Sequence, residues 1–496
     1  MMAMCIRLPG RWLWYFFNAI LCPWRVRNQQ LNSKHHRYRG FYLKTTTLVI
    51  LLVAVISALA AQNVKFETVI AAVEKLGGLK FEIHSTLEKA EADELAHILS
   101  TAKSMFEMQM AKEPQSRDAH AKGHGCAEAQ FIVNANLPPE LRAGVFQPGQ
   151  TLDAIIRFSN GEGTTTTDGL PQGHGMAIKL IDGAKNGNIL GTGTTQDFML
   201  VDNPRFAVRS VKDYDLLEKL TLQKQKPVWV LTRAIREALA EAGRQDAEEI
   251  PDEKISQIVA AVITLEKAPQ NLNNALSEIF GEQAAPIQAA ILAKLGQMKA
   301  GQAPLELVIG TELSKVIGSS LTASYYSMTS YLFRANGFSD NAVKYSAHPV
   351  DCGTGEKLAP EAVPQGAGEN YLSEGLVQSL NKTQACFDFS VQPLAASMSV
   401  ETKQKLVEDA RLNYETPEVV VARIVIPVQD VSLAAKKDYC ANLSYNPWQA
   451  SQELQPLGAL NRARKVAVTA SSIRRHLYLG KDRNEPASIM EYRNLK

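Results

Sequence analysis

Apolar residues recur along this chain with two periods, and the alternation between them outlines the expected elements. From Val64 to Met110 the spacing is helical, with Leu95, Ile98, Leu99, Ala102 and Phe106 on one face. From His120 to Arg209 short apolar runs take over. AQFIV, DAIIRF, GMAIKLI and DFMLV each read as a strand, with turns marked by Gly161, Gly163, Gly173, Gly175, Gly187, Gly191 and Gly193. From Asp213 to Ser320 the pattern is helical again, with Ile255, Ile258, Val259, Val262 and Ile263 on one face. Pro227, Pro251, Pro269, Pro286 and Pro304 divide that stretch into several helices, read as an added packing layer. After Thr322 the strands return as SYYSMTSYLF, AVKYSAHPV, CFDFSVQPL and VVVARIVIPV, and Asn461 to Gly480 closes with a basic helical segment. Strands interrupted by blocks of helix predict an α+β barrel rather than a parallel sheet. No internal repeat and no low-complexity segment is visible.

Charge changes the picture only at the N-terminus. Lys plus Arg number 53 against 51 Asp plus Glu, which leaves no electrostatic footprint for nucleic acid. The first 44 residues, however, carry Arg7, Arg11, Arg25, Arg27, Lys34, Arg37, Arg39 and Lys44 and no acid. Thr45 to Ala61 then carries no charge and ends in small residues, as a signal peptide does. A signal anchor is the other reading of residues 45–61: the leader before Thr45 is long, and Trp12, Trp14, Phe16, Phe17 and Trp24 suit a membrane interface. Either way the expected location is exported, periplasmic or extracellular, or membrane-anchored. Of the six cysteines, Cys126, Cys352, Cys386 and Cys440 lie beyond the leader without zinc spacing, and read equally as disulfides or as buried thiols. Asn381 and Asn442 begin glycosylation sequons.

Four segments carry candidate chemistry. RDAHAKGHG begins at Arg117, IIRFSNGEG at Ile155, GHGMAIKL at Gly173 and TQDFMLVDNPRFAVR at Thr195. Together, and in this order, they resemble the distal haem region of the catalases. The resemblance extends from Arg117 to Gly480, with residues 213–320 matching poorly, and implies a catalase-like antiparallel β-barrel with surrounding and inserted helices. It implies a haem cofactor, with His120 as the distal acid–base group, Ser159 supporting it, and Arg117 and Arg157 binding propionates. The chemistry is coherent: a neutral imidazole moves a proton between peroxide oxygens, and guanidinium groups suit carboxylates. His84, His97 and His348 read as structural.

The same resemblance exposes departures. His174 stands where the family has Arg. In the C-terminal segment Arg464 matches the arginine beside the family's iron-binding tyrosinate and Arg475 a third propionate arginine, but the tyrosine position is Val468. Tyr478 is the weak substitute. Val201 occupies the place of the distal asparagine, and Asn203 would serve only if the turn were rebuilt.

These features organise the chain as a leader (1–61), an N-terminal helical segment (62–110), a catalase-like haem domain (111–480, including the 213–320 helical insertion) and a C-terminal tail (481–496). The implied function is a haem-dependent, catalase-like peroxidase acting on hydrogen peroxide or organic hydroperoxides. The alternatives are a non-catalytic binding protein on the same scaffold, and a lyase- or isomerase-like relative acting on lipid hydroperoxides. A homo-oligomer is left open by the resemblance.

Overall fold

A computed structural model describes residues 64–496 except 85, 224–225, 266, 300–304 and 484. The expectations for the leader and for a span or signal at residues 45–61 lie outside the described residues. No helix among the described residues is long and apolar enough to cross a membrane.

The nine strands are β1 (Gly123–Val133), β2 (Thr151–Asn160), β3 (His174–Leu180), β4 (Gln196–Val201), β5 (Tyr325–Tyr326), β6 (Tyr331–Phe333), β7 (Asn341–Val350), β8 (Ala385–Pro393) and β9 (Val419–Ile426). All pairings are antiparallel, and the sheet closes on itself. β1 to β5 follow in order, β5 pairs with β7, β8 and β9 continue, and β9 returns to β1, with β6 added on β7. Closure leaves the eight ring strands without a free edge, and alternate residues point inward. The interior is aromatic: Phe131, Phe146, Phe198, Tyr345 and Phe389 meet at centroid separations of 4.9 to 6.3 Å. Each is fully or almost fully buried, and burying such a side chain contributes about 1.5–3 kcal/mol.

The register assigns faces at the chemically marked segments. Phe158 pairs with Met176 and Met176 with Leu200, and this row points into the barrel core. The adjoining rows, Arg157–Ala177–Met199 and Ser159–Gly175–Val201, therefore face outward. A bulge between Gly123 and Gly125 inserts His124 into β1 opposite this region.

Helices pack on that outer face. The expected helical stretch at 62–110 is two helices, α1 (Phe66–Lys75) and α2 (Glu94–Lys112), separated by a non-helical connection. The insertion runs from α3 (Val211–Leu222) through α4 (Lys226–Glu241), α5 (Asp252–Ile263), α6 (Gln270–Phe280) and α7 (Ala284–Lys299) to α8 (Leu305–Leu313). Pro251 and Pro269 are N-caps, and Pro227 and Pro286 lie in first turns, where a missing N–H costs nothing. The added layer is not uniform. α4 to α7 share one core around Leu239, Ile258 and Leu272, whereas α3 belongs to the core of α1 and α2 through Val211 and Leu220. The remaining helices are α9 (Tyr371–Leu380), α10 (Val400–Glu408), α11 (Ala434–Asn442), α12 (Ala459–Leu479) and α13 (Met490–Arg493).

The basic C-terminal segment is α12. It ends at Gly480 in the left-handed region (φ 61°), where Lys481 N–H donates to the His476 carbonyl at 3.0 Å. Its apolar side (Ala463, Val466, Ala470, Ile473) packs on Val69, Ile98, Ala102 and Phe106. Its one fully buried cation near the N-terminus, Arg462, is matched by Glu88, Glu94 and Glu408. The four described cysteines pair as Cys126–Cys440, which ties β1 to α11, and Cys352–Cys386. The first of the open readings therefore holds.

Candidate active site

A cavity lies between the outward rows of β2, β3 and β4 and the helices α2 and α12. Its volume is about 110 Å³, below the roughly 300–1,000 Å³ of ordinary small-molecule sites. Seven of the nine residues singled out by motif line it: Arg117, His120, Arg157, Ser159, Arg464, Val468 and Arg475. Segments far apart in sequence reach it by simple periodicities. Arg157 and Ser159 alternate along a strand, and Arg464, Val468, Ser471 and Arg475 recur every three or four residues along one stripe of α12.

His120 sits in a loop held against β2. Arg157 Nη2 donates to the His120 carbonyl at 2.8 Å, and His120 N–H donates to the Gly161 carbonyl at 3.0 Å. Its backbone is left-handed, φ 59°, an arrangement that costs about 1–3 kcal/mol in a non-glycine residue and clusters at functional sites. Nδ1 lies 3.0 Å from the Asn160 carbonyl and 3.2 Å from Ser159 Oγ. A carbonyl only accepts, so Nδ1 carries the proton and Nε2 is left with a lone pair. Burial, reinforced by the Arg157 charge, pushes the imidazole down to about 4, so it is neutral at ordinary pH. Gly175 makes the approach: a Cβ there would stand 2.6 Å from His120 Nδ1 and 2.9 Å from Ser159 Oγ.

Three guanidinium groups converge at one end. Arg157 donates to the 120–121 backbone; Arg117 and Arg475 both donate to carbonyls of Ala441 and Leu443. None has a carboxylate partner among the described residues, and buried Arg475 Nε has no partner at all. Burial lowers the proton affinity of all three, and repulsion from neighbouring guanidinium groups adds to it at Arg157 and Arg475. Arg475 is burdened first by burial, then by Arg117, Arg157, Arg474 and Arg483. Neighbouring Arg474, by contrast, has a carboxylate partner, Asp118 at 2.6 Å. Arginine keeps its charge, so this end is a positive site lacking an anion. The same three side chains also line an outer groove with Lys437, Cys440, Asn442 and Lys481.

Two expectations are corrected. Asn203 does not replace the distal amide: its Nδ2 donates to the Arg205 carbonyl at 3.2 Å, and Val201 occupies the cavity wall. The turn is not rebuilt, because Val201 lies in the outward strand row whereas Asn203 lies past the strand end. Tyr478 is not at the cavity either; three residues beyond Arg475, it lies one turn past the part of α12 that lines the cavity. His174, at the family's arginine position, is buried and bonded through Nδ1 to Asp202 at 2.9 Å. His97 and His348 pair with Asp215 and Glu418, as structural histidines do.

Motif reading missed Met105, Ser444 and Tyr445. Tyr445 lies under Arg117, with the guanidinium 5.9 Å from its ring centre, and Met105 enters from α2. Neither sits in a motif, and only packing brings them in.

The residue types suit the organic part of a haem, but the cavity as it stands is too small for the whole group. The unmatched arginines suit two propionates, and Gly175, Ala177, Met199 and Val201 make a low apolar wall beside a neutral imidazole. They do not provide the family's iron ligand, because Val468 has no donor atom. Nor do the described residues hold any group of three or more His, Cys, Asp or Glu able to bind a metal ion.

No family model matches the chain, and no curated protein matches it. Solved structures similar to it include a fungal catalase (12% identity, covering 69% of this chain and 55% of that one, TM-score 0.40). A bacterial catalase is similar at 14% identity (77% of this chain, 59% of that one, TM-score 0.42). Catalase A from Saccharomyces cerevisiae is similar at 13% (76% and 64%, TM-score 0.41). The chain spans 55 to 64% of the length of these catalases. A closed eight-strand antiparallel barrel, with the four catalase-like segments in order against one cavity and helices packed outside it, gives this chain a catalase-like α+β fold.

Proposed function

We propose that this protein binds haem and acts as a peroxidase-type oxidoreductase on hydrogen peroxide or an organic hydroperoxide. One observation carries the reading: two buried guanidinium groups and a half-buried third, none with a carboxylate partner among the described residues, stand at the end of the very cavity whose wall presents a neutral, oriented histidine. Two propionates would neutralise Arg117, Arg157 and Arg475, and bound haem would supply a redox-active iron. The chain's own contribution is proton handling. His120 Nε2 accepts a proton from one peroxide oxygen and delivers it to the other, while the Asn160 carbonyl fixes the tautomer and Ser159 the ring plane. Ala177, Met199 and Val201 limit water on that wall.

Haem titration of the purified protein tests this. A saturable Soret band, weakened at least about ten-fold in Arg157→Leu and Arg475→Leu, is the expected result; ion pairs to buried charges are worth that much. No uptake would sink it. Turnover of hydrogen peroxide against fatty-acid hydroperoxides then separates a peroxidase from a lyase- or isomerase-like enzyme. The second reading, a binding protein without turnover, is favoured by Val468 and predicts uptake with no reaction.

We also propose an exported or membrane-anchored location. Two disulfides suit an oxidising compartment. N-terminal sequencing of the mature protein decides between a cleaved leader and a retained one.

A further inference from the structure

We propose that Lys344 is a covalent site for a small neutral aldehyde, which its amine captures as an imine. The site lies outside β5, β7 and β8, apart from the His120 cavity, and does not depend on haem. Four lysines are buried among the described residues: Lys122, Lys179, Lys344 and Lys465. Lys122 is paired with Asp168 at 2.7 Å, and Lys179 with Asp197 at 2.8 Å and Glu485 at 2.7 Å. Lys465 lies over the rings of Phe81 and Trp448, 5.5 and 4.5 Å from their centres, and such faces attract a cation. Lys344 has less. It has one acceptor, the Leu412 carbonyl at 2.8 Å, one ring, Tyr414 at 5.1 Å, and no carboxylate partner among the described residues. Asp409, which favours its charge, is bonded to Arg411 at 2.8 Å, and Arg205 opposes that charge.

An ammonium group has three N–H donors to satisfy, so one carbonyl serves it poorly. A neutral amine that donates to the Leu412 carbonyl keeps its lone pair. Burial accordingly pushes the group down to about 8, the condition in which lysine becomes a nucleophile towards carbonyl carbon. The amine lines a cavity of about 250 Å³. Val343 and Tyr345 point into the barrel core, so Lys344 points out, opposite Gln392 of β8. Gln392 Nε2 donates to the Tyr414 and Thr416 carbonyls at 3.0 and 2.6 Å, which straps residues 412–416 over the two side chains. Among the described residues that line this cavity Lys344 is the one lysine or arginine, whereas Glu415 and Glu418 line it too. That balance disfavours an anion and suits a neutral carbonyl compound. Lys344 Nζ would attack the carbonyl carbon, the oxygen would take up protons and leave as water, and the nitrogen pair would complete the C=N bond. Amine plus aldehyde gives imine plus water, without any change of oxidation state. The Glu415 and Glu418 carboxylates are available to pass the proton from nitrogen to the departing oxygen.

The test treats the full-length protein with hexanal and sodium cyanoborohydride near pH 7.5, which fixes any imine as a secondary amine, and maps the modified lysines by peptide mass spectrometry. Exposed Lys382 and Lys437 serve as references within the same chain. A lysine shifted to about 8 carries about a hundred-fold more free amine at that pH than an ordinary one. Even with access restricted by burial, Lys344 should be modified at least about ten-fold faster than either reference, at a rate that saturates with hexanal. Lys344→Met should abolish the saturable uptake and leave the two references as before. Modification of Lys344 no faster than the references, a rate that rises linearly with hexanal, or saturable uptake that persists in Lys344→Met overturns the proposal. The map of the wild-type protein decides by itself if the variant does not fold.

Discussion

The two walls of the cavity differ in how they are built and in what they retain. The sheet wall is fixed by hydrogen-bonded register: Arg157, Ser159, Gly175, Ala177, Met199 and Val201 occupy consecutive outward rows, and the His120 loop is pinned to them by Arg157 and the Asn160 carbonyl. The helical wall is one stripe of α12 backed by α1, α2 and α3, with side chains free to change along a continuous helix. The first presents His120, Ser159 and Arg157, to which proton handling is proposed, with Val201 where the resemblance expects an amide. The second keeps its cations, Arg464 and Arg475, and has lost its donor at Val468. A residue inside a sheet register constrains its neighbours on three strands, whereas a helix position contributes one side chain and can be exchanged alone.

Three experiments with haem would break or sharpen that contrast. His120→Ala should leave haem in place and lower peroxide turnover by about a hundred- to ten-thousand-fold, the usual worth of an acid–base group; unchanged turnover would place proton handling elsewhere. Gly175→Ala should displace the imidazole, because the new methyl would meet Nδ1 at 2.6 Å, and cost up to about a hundred-fold, as an ångström of misplacement does. Normal turnover with a relaxed crystal structure would show the sheet wall to be more tolerant than its register suggests. On the other wall, Val468→Tyr should tighten hemin binding by about ten-fold and shift the spectrum towards tyrosinate ligation. An unaltered spectrum would mean that position 468 does not face the iron.

The smallest effect concerns stability. His120 and His124 are both held neutral, mainly by burial. Their folded pKa values lie below the unfolded value near 6.5, so between about 6.5 and about 4 the unfolded chain binds more protons. Stability is complete above that window and declines as pH falls through it. Urea unfolding at stepped pH measures this, and His120→Ala should flatten part of the decline; an identical decline would assign it to other groups.

The sequence by itself determined the alternation of helix and strand, and with it the barrel. All four strand segments before Arg209 and three of the four after Thr322 lie where their two-residue or buried patterns put them, because those patterns are local; SYYSMTSYLF is instead broken at left-handed Met328 into β5 and β6. It also determined most of the cavity, since Arg117, His120, Arg157, Ser159, Arg464 and Arg475 are marked by motif. Tertiary structure alone decided that Asn203 turns away, that the cavity ends before Tyr478 and that the cysteines pair 126 with 440 and 352 with 386. It alone brought Met105 and Tyr445 to the site, and set the carbonyls of Cys440, Ala441 and Leu443 as the seats of Arg117 and Arg475. Those contacts join positions tens to hundreds of residues apart. No period or motif encodes them, because they exist only once the barrel has closed and the helices have docked on its outer face.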